Sequence, residues 1–491
     1  MNVLLVYPKY PDTYWSFKHA LKFVSKKVAN VPLGILTVAS LLPDTWNKKL
    51  SDLNVSDLKD KDIIWADYVF ISAMSIQSAS VNQVIERCRQ LKTPIVAGGP
   101  LFTEEYENYH SVDHLVLNEA EITLPLFLTD LGNGTPKRIY RSEEFADLTK
   151  SPLPDYSLLK VGKYVTAGIQ YTRGCPYDCE FCDITALFGR HVRTKTPVQI
   201  LAELDQLVKI GWKSSVFFVD DNFIGHKHKL KTELLPALIE WMEVNRHPFT
   251  FLTEASINLS DDEELMSMMT RAGFNKVFVG IETPDESCLM ECNKYNNNGR
   301  NLISSVNTIQ QNGIEVMAGF IVGFDHDPPN IFQRQIDFIQ KSGIITAMVG
   351  LLNAPRLSKL YQRLKSEDRL NDKFTGDNTD YSLNFVPVMD KDELLKGYQK
   401  IIQEIYSSKS YYTRVRRFLK DYEPRFTERL SFSRLGAFFK SVFYLGIIKR
   451  NRIYYWKLLF WSIFNKPRSF PLAVTYSIYG YHFRKVFRDV R

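Results

Sequence analysis

Short unbroken apolar runs alternate with helical periodicity through the first 145 positions. Val3 to Val6, Tyr68 to Ser72, Pro94 to Ala97 and His114 to Leu117 predict strands, and Pro32 to Leu42 and Val81 to Leu91 predict helices between them. A run that is apolar at every position, rather than every second one, belongs to a strand covered on both faces. The pattern therefore predicts an α/β unit, a doubly wound parallel sheet with helices on either side. Ligands of such sheets sit beyond the carboxyl ends of the strands. Here those ends are Tyr7-Pro8, Ser72 to Ser75 and Gly98-Gly99-Pro100. The last of these also reads simply as a tight turn. No Gly-x-Gly-x-x-Gly follows the first strand, so the dinucleotide fingerprint is missing.

Residues 146–168 carry Pro152, Pro154 and Gly162 without periodicity and read as a linker. A second series begins at Ile169. Val216 to Val219, Phe249 to Thr253, Lys276 to Gly280 and Val316 to Val322 predict strands, separated by helices at Gln199 to Gly211, Leu230 to Asn245, Asp262 to Ala272 and Gly299 to Gly313. Repeated βα units of this kind predict a complete or partial barrel over residues 169–365, with chemistry at the carboxyl rim of its strands. Residues 366–491 read as mainly helical.

Composition adds two things. A chain of 491 residues exceeds one ordinary core, so several units are expected, and 45% hydrophobic with 24% charged residues excludes wholesale disorder. No apolar run reaches the ~18 residues of a membrane-spanning helix, and Met1 to Pro8 shows no basic flank or cleavage site. The net charge of +7 is uneven: residues 401–491 hold 19 Lys and Arg against 5 Asp and Glu, with 23 of the 64 aromatic residues. That stretch expects an anionic or interfacial partner.

Six cysteines are too few for a disulfide scaffold, and three of them stand as Cys175-x3-Cys179-x2-Cys182. A metal centre in a reducing cytoplasm accounts for them better. Three thiolates on one short loop suit one face of a four-iron cluster, leaving one iron open to a substrate or cofactor. The alternative is a zinc knuckle, which needs a fourth ligand at local spacing, and His191 is the only nearby candidate. Cys88 reads as a packed apolar residue. Cys288 and Cys292 are candidate accessory cysteines, and Asp325, His326 and Asp327 are candidate proton acceptors at the barrel mouth.

The stretch Tyr171 to Ile184, with Phe181 before the third cysteine, resembles the radical S-adenosylmethionine (SAM) superfamily. The resemblance implies a [4Fe-4S] cluster on Cys175, Cys179 and Cys182, whose open iron binds SAM. It further implies SAM contacts at Asp220 and Asp221, at Glu254 and Ser256, at Gly280 and Glu282, and at Gly323, each at a strand end. The N-terminal unit resembles the cobalamin-binding branch of that superfamily, through Tyr7 to Trp15, Pro32-Leu33-Gly34, Ser72 to Ser75, Gly98-Gly99-Pro100 and Glu119-Ala120-Glu121. This implies a Rossmann-like domain at 1–145 binding cobalamin near Ser72, Ser75, Gly98, Gly99 and Pro100, with Gly99 letting the backbone approach the corrin. Asp-x-His-x-x-Gly, the motif of a histidine lower ligand, is missing, and His19, His110 and His114 have the wrong neighbours.

Within the branch the chain resembles hopanoid C-2 methylases and related lipid-modifying enzymes. The resemblance implies a C-methyltransferase acting on an unactivated carbon of a lipid, with a flavodoxin or ferredoxin as one-electron donor. One SAM would remethylate cob(I)alamin, and a second would yield the deoxyadenosyl radical that abstracts hydrogen. Formation of a C–C or ring bond, or tRNA modification, is the alternative. In the tail, Tyr411 to Phe418 and Lys449 to Trp461 mix cations with rings, which suits an anionic bilayer, with Trp456 and Trp461 expected to insert. The same mixture could bind RNA, but no RNA-binding module accompanies it. A cytoplasmic enzyme at the inner face of the membrane is the expectation.

Overall fold

The computed structural model describes residues 1–371, 374–377, 379–424 and 432–489. Its strands in chain order are β1 (Asn2–Tyr7), β2 (Val28–Asn30), β3 (Asn47–Asp52), β4 (Tyr68–Ser72), β5 (Ile95–Gly98), β6 (His114–Val116), β7 (Ile139–Tyr140) and β8 (Tyr164–Ile169). They continue as β9 (Thr172–Arg173), β10 (Arg193–Thr194), β11 (Val216–Phe218), β12 (Phe251–Glu254), β13 (Phe274–Glu282), β14 (Glu315–Val322) and β15 (Ala347–Leu351).

The first sheet has the order β3-β1-β4-β5-β6-β7 and is parallel throughout. Both of its faces are buried, as the unbroken apolar runs require. Val3 and Leu5 pack with Ile35, Val96 and Phe127 on one face, while Leu4 and Val6 pack with Val81, Ala97 and Phe102 on the other. The chain leaves β1 towards β3 on one side and leaves β4 towards β5 on the other, which puts the topological switch point between Tyr7 and Ser72.

The second sheet, β15-β14-β13-β12-β11-β8-β2, is also parallel, and its edge strands do not pair with each other. It is a partial barrel. Its first strand, β8, lies in the stretch read as a linker, and β2 comes from the N-terminal unit, with Val28 paired to Tyr164. Residues 13–23 cross to the same side. Tyr14 stacks on Phe483 at 4.5 Å, and Trp15 meets Phe278 at 5.4 Å.

The helices after residue 390 share this sheet's core instead of building their own. Tyr398 and Tyr406 donate to the carbonyls of Val349 and Ala347, and Tyr476 donates to Glu315 at 2.7 Å. The rings of the first basic-aromatic stretch are therefore not free for a membrane, although Arg416 and Arg417 are exposed. Tyr411, Arg414, Val415 and Phe418 are buried, and the Arg414 guanidinium donates to the Ile405 carbonyl beneath the Tyr411 ring. Trp456 and Trp461 are half-buried as well: Trp456 donates to the Gly446 carbonyl, and Trp461 lies under the Arg416 guanidinium. No helix among the described residues is long and apolar enough to cross a membrane.

Candidate active site

The three cysteines follow β9 on one loop at the carboxyl ends of the second sheet. Gly174, at φ +93°, begins that loop, and a Cβ there would meet the carbonyl oxygens of His191 and Gly189 at 2.8 and 2.9 Å. The loop is held from three sides. The Cys175 amide donates to the Gly189 carbonyl, the Glu180 amide donates to the Cys292 carbonyl, and Arg363 clasps the Glu180 carboxylate. Cys292 is thus buried packing beneath the loop, while Cys288 donates to Asp327 at 3.3 Å.

Burial pushes all three cluster thiols up, and the Lys294 ammonium pulls against it at each of them. Burial alone would lower Lys294, but the Glu282 carboxylate 2.8 Å away and the Cys179 and Cys182 sulfurs hold it raised. Among the described residues no three Cys, His, Asp or Glu side chains converge on a single ion, as a mononuclear zinc site demands. A cubane makes no such demand, because each thiolate binds its own iron. Three soft donors on a rigid loop, with a cation beside them to offset thiolate charge, fit a [4Fe-4S] cluster.

The residues expected to touch SAM fall into groups. Asp220 (end of β11) accepts the Tyr171 and Thr172 amides through Oδ1, and its buried Oδ2 has no partner among the described residues. Asp221 accepts the Gly174 amide at 3.3 Å. Glu254, at the end of β12, has no hydrogen-bond partner among the described residues; burial pushes it up to about 8, with Asp221 and Asp220 adding to the rise. Burial likewise raises Asp220 to about 7 and Asp221 to about 6. Three carboxyls pressed together in this way favour a cationic ligand.

Ser256 belongs to a second network. Its amide donates to Asn222 Oδ1, its hydroxyl lies 3.4 Å from Tyr177 Oη, and Asn222 reaches back to Cys175. Gly280 makes room for its neighbours, since a Cβ there would collide with Glu282 Oε1 and sit 2.8 Å from Lys294 Nζ. Gly323 is apart from all of these and faces Leu352 and Leu394. Asp325 is clamped by Arg363 and Arg369, and Asp327 caps the turn by accepting the Gly323 and Phe324 amides. His326 Nδ1 is 2.8 Å from Glu291. Asp325 and Asp327 are thereby engaged, while the contact of His326 through Nδ1 leaves its Nε2 edge open.

At the first sheet Ser72, Ser75, Gly98, Gly99 and Pro100 do meet at the strand ends, but the glycines serve the fold itself. A Cβ on Gly98 would meet the Val116 oxygen at 2.5 Å, and one on Gly99, at φ +93°, would meet the Ala73 oxygen and Ser72 Oγ. Pro100 opens the helix Pro100–Glu105. Ser75 donates to Glu104 at 3.1 Å, and the Glu104 carboxyl touches that of Asp183, the residue after Cys182. Burial pushes Glu104 up to about 7, with Asp183 adding to it.

Sequence reasoning did not find Lys294, Asn222, Tyr177, Glu104 or Asp183. Each is a single polar residue in a loop or short helix, with no periodicity or spacing to mark it.

A model described as the radical SAM superfamily matches residues 169–339, and one described as a domain of unknown function matches residues 358–491. An uncharacterized methyltransferase of Synechocystis is 38% identical over 100% of this chain and 93% of its own length. Hopanoid C-2 methylase of Rhodopseudomonas palustris is 36% identical over 81% of this chain and 77% of its own. Among solved structures, the cobalamin-dependent SAM radical enzyme OxsB aligns with a TM-score of 0.64 over 100% of this chain and 80% of its own, at 14% identity. The radical SAM methyltransferase TsrM of Kitasatospora setae aligns at 0.59 over 74% and 78%, also at 14% identity. Those two likenesses concern the fold, and the sequence relatives decide the family. The chain belongs to the radical SAM superfamily, within the group of methyltransferases that includes hopanoid C-2 methylase.

Proposed function

We propose that this chain is a cobalamin-dependent radical SAM methyltransferase that methylates an unactivated carbon of a hopanoid-like lipid, drawing single electrons from a flavodoxin or ferredoxin. The observation that carries the reading is the Ser75–Glu104–Asp183 chain, which joins the carboxyl ends of the first sheet to the residue beside Cys182. A corrinoid at those strand ends and a cluster on the cysteine loop would then be neighbours. When bound, the cluster and SAM supply radical cleavage, and the corrinoid supplies the methyl group.

The chain's own residues prepare this. Cys175, Cys179 and Cys182 would hold the cluster, with Lys294 balancing its charge. Glu254, Asp220 and Asp221, raised by burial and by one another, would gain from the SAM ammonium and sulfonium the positive charge that favours their ionised forms. Asn222, Ser256 and Tyr177 fix the wall between the loop and β12. The lipid acceptor is supported by the hopanoid C-2 methylase relative and by the apolar, basic C-terminal surface.

The test is transfer from methyl-deuterated SAM by the anaerobically reconstituted full chain, with reductant and cobalamin, to a lipid extract of a strain lacking the gene. Mass spectrometry should find deuterated methyl in a polycyclic lipid. Label in tRNA, or SAM cleavage without any methyl transfer, would overturn the reading.

A further inference from the structure

The pair of helices after residue 431 carries apolar residues where a surface helix should be polar. Phe432–Ser441 runs on through a π-helical segment, Val442–Ile448, and the chain turns at Lys449 to Asn451 into the helix Arg452–Asn465. The inner faces are conventional: Leu445, Tyr455, Leu458 and Leu459 are buried against the core. The outer faces are not. Leu435, Phe439, Phe443 and Ile447 follow one another at four-residue steps and are all exposed, Phe439 by 61%. Ile453, Phe460 and Phe464 repeat the pattern on the second helix, and Phe464 is 81% exposed.

Ten of the 23 exposed large apolar residues among the described residues fall in these 30 positions. Scattered exposed apolar residues need no explanation, but a continuous patch marks an interaction surface. A helix apolar on both faces is otherwise a buried helix.

Charge identifies the occupant. Residues 429–488 contain no Asp or Glu at all, against 12 Lys and Arg. Arg450, Arg452 and Lys457 are exposed on the turn and the second helix, beside Ile453 and Phe460. Phenylalanine and isoleucine at the crest with cations around them match the helix that lies in a membrane interface, its apolar side ~5–10 Å into the headgroup boundary and its cations on lipid phosphates. A soluble partner or a second copy could cover apolar residues, but 60 positions free of acid add a demand for an extended anionic surface.

We infer that the outer face of this helical pair, from Leu435 to Phe464, docks the enzyme shallowly onto an anionic lipid bilayer. The docking stands whatever the methyl acceptor proves to be. Trp456 and Trp461 lie just under the crest. They report on docking and do not drive it.

The experiment is co-sedimentation of the full chain with phosphatidylcholine vesicles, with and without phosphatidylglycerol, across a salt series. Phe439→Glu/Phe443→Glu/Phe464→Glu, all at exposed positions, should bind at least tenfold more weakly at every salt concentration. Arg450→Glu/Arg452→Glu/Lys457→Glu should lose mainly the salt-sensitive part. Brominated lipid should quench tryptophan fluorescence in the parent and not in the phenylalanine variant. Light scattering without lipid covers the other occupant. Equal vesicle binding by parent and phenylalanine variant would overturn the inference. So would a parent that ignores vesicles and forms a dimer that the variant abolishes. Neither readout depends on methyl transfer, so failure of the transfer assay and failure of docking are separately visible.

Discussion

Arg173 grips Glu121 with both arms of its guanidinium, Nη1 3.0 Å from Oε2 and Nη2 2.7 Å from Oε1. Beside it in the β9–β10 ladder, Arg193 makes the same fork with Glu119, at 2.8 and 2.7 Å. Both glutamates stand at the start of the helix Ala120–Gly132 of the first sheet, while Arg173 lies two residues before Cys175. The orientation of the cluster loop toward the first sheet is therefore fixed by two buried, bidentate ion pairs.

Burial alone would raise Glu121, but Arg173 holds it down to about 2. A carboxyl depressed in the fold contributes stability that is complete above its unfolded value of about 4.5 and is lost as pH falls toward 2. Glu121→Gln should cost about 3 kcal/mol at neutral pH, because it strands a buried guanidinium. The gap in thermal midpoint between parent and variant should hold constant from pH 7 to 5 and narrow below that. A gap independent of pH would show that the pair is not what is lost.

Lys294→Met should leave the Glu282 carboxylate buried and unpaired, at a cost of roughly 3 kcal/mol. Glu282→Gln in the same chain should restore much of that loss, and a double-mutant cycle on thermal midpoints measures the coupling. Iron bound after anaerobic reconstitution should fall in the single variant.

Burial raises Glu254 to about 8. A carboxyl raised in the fold makes the native state hold a proton that the unfolded chain releases, so stability should fall as pH rises from about 4.5 to 8. Without ligand, Glu254→Gln should match the parent near pH 4 and exceed it by roughly 2–4 kcal/mol above pH 8. Calorimetric titration with SAM should run the other way, with affinity at least tenfold weaker in the variant.

Replacing Cys175, Cys179 or Cys182 by Ala should remove the broad absorption at ~400 nm and nearly all iron, and with them SAM cleavage. Stoichiometric zinc in a strictly anaerobic parent preparation would contradict the cluster.

Gly99→Ala should destabilise the protein by roughly 1–3 kcal/mol with no corrinoid present, since φ is +93° and the Ala73 oxygen occupies the space a Cβ needs. A bulky residue at Gly99 therefore tests the fold before it tests cobalamin.

Much of this architecture was legible in the pattern of apolar positions. Strands buried on both faces write themselves as unbroken runs, so β1, β4, β5, β12 and β14 stood out. β3 reads Asn-Lys-Lys-Leu-Ser-Asp because it is the sheet's edge, with Asn47 and Lys49 exposed and only Asp52 buried, and no apolar run marks it. β2 has only three residues and belongs to a sheet whose other strands begin 134 positions later, at Tyr164, as no local pattern can say. At the site, the cysteines were visible because a ligand loop needs close spacing. Lys294 was not, because one lysine acquires meaning only when β13 brings Glu282 beside it. The tail's composition was legible, but its geometry was not. Tyr411 and Arg414 are core, and the exposed rings are mostly phenylalanines, Phe439, Phe443, Phe460 and Phe464, with Tyr444 among them.

The contact between Tyr14 and the final helix has a consequence for how the protein is made. His482 Nε2 lies 2.9 Å from the Tyr14 carbonyl, across a separation of 468 residues. Translation proceeds at ~5–20 residues per second, so the aromatic arm of Tyr14, Trp15 and Phe17 waits on the order of a minute after leaving the ribosome before its docking surface exists. The first sheet can close during that interval. The arm cannot, and it remains an adhesive apolar segment on an otherwise finished unit. Productive synthesis therefore depends on whatever shields that segment in the meantime, and starving the cell of holdase chaperones should send the nascent chain to aggregates through its N-terminus.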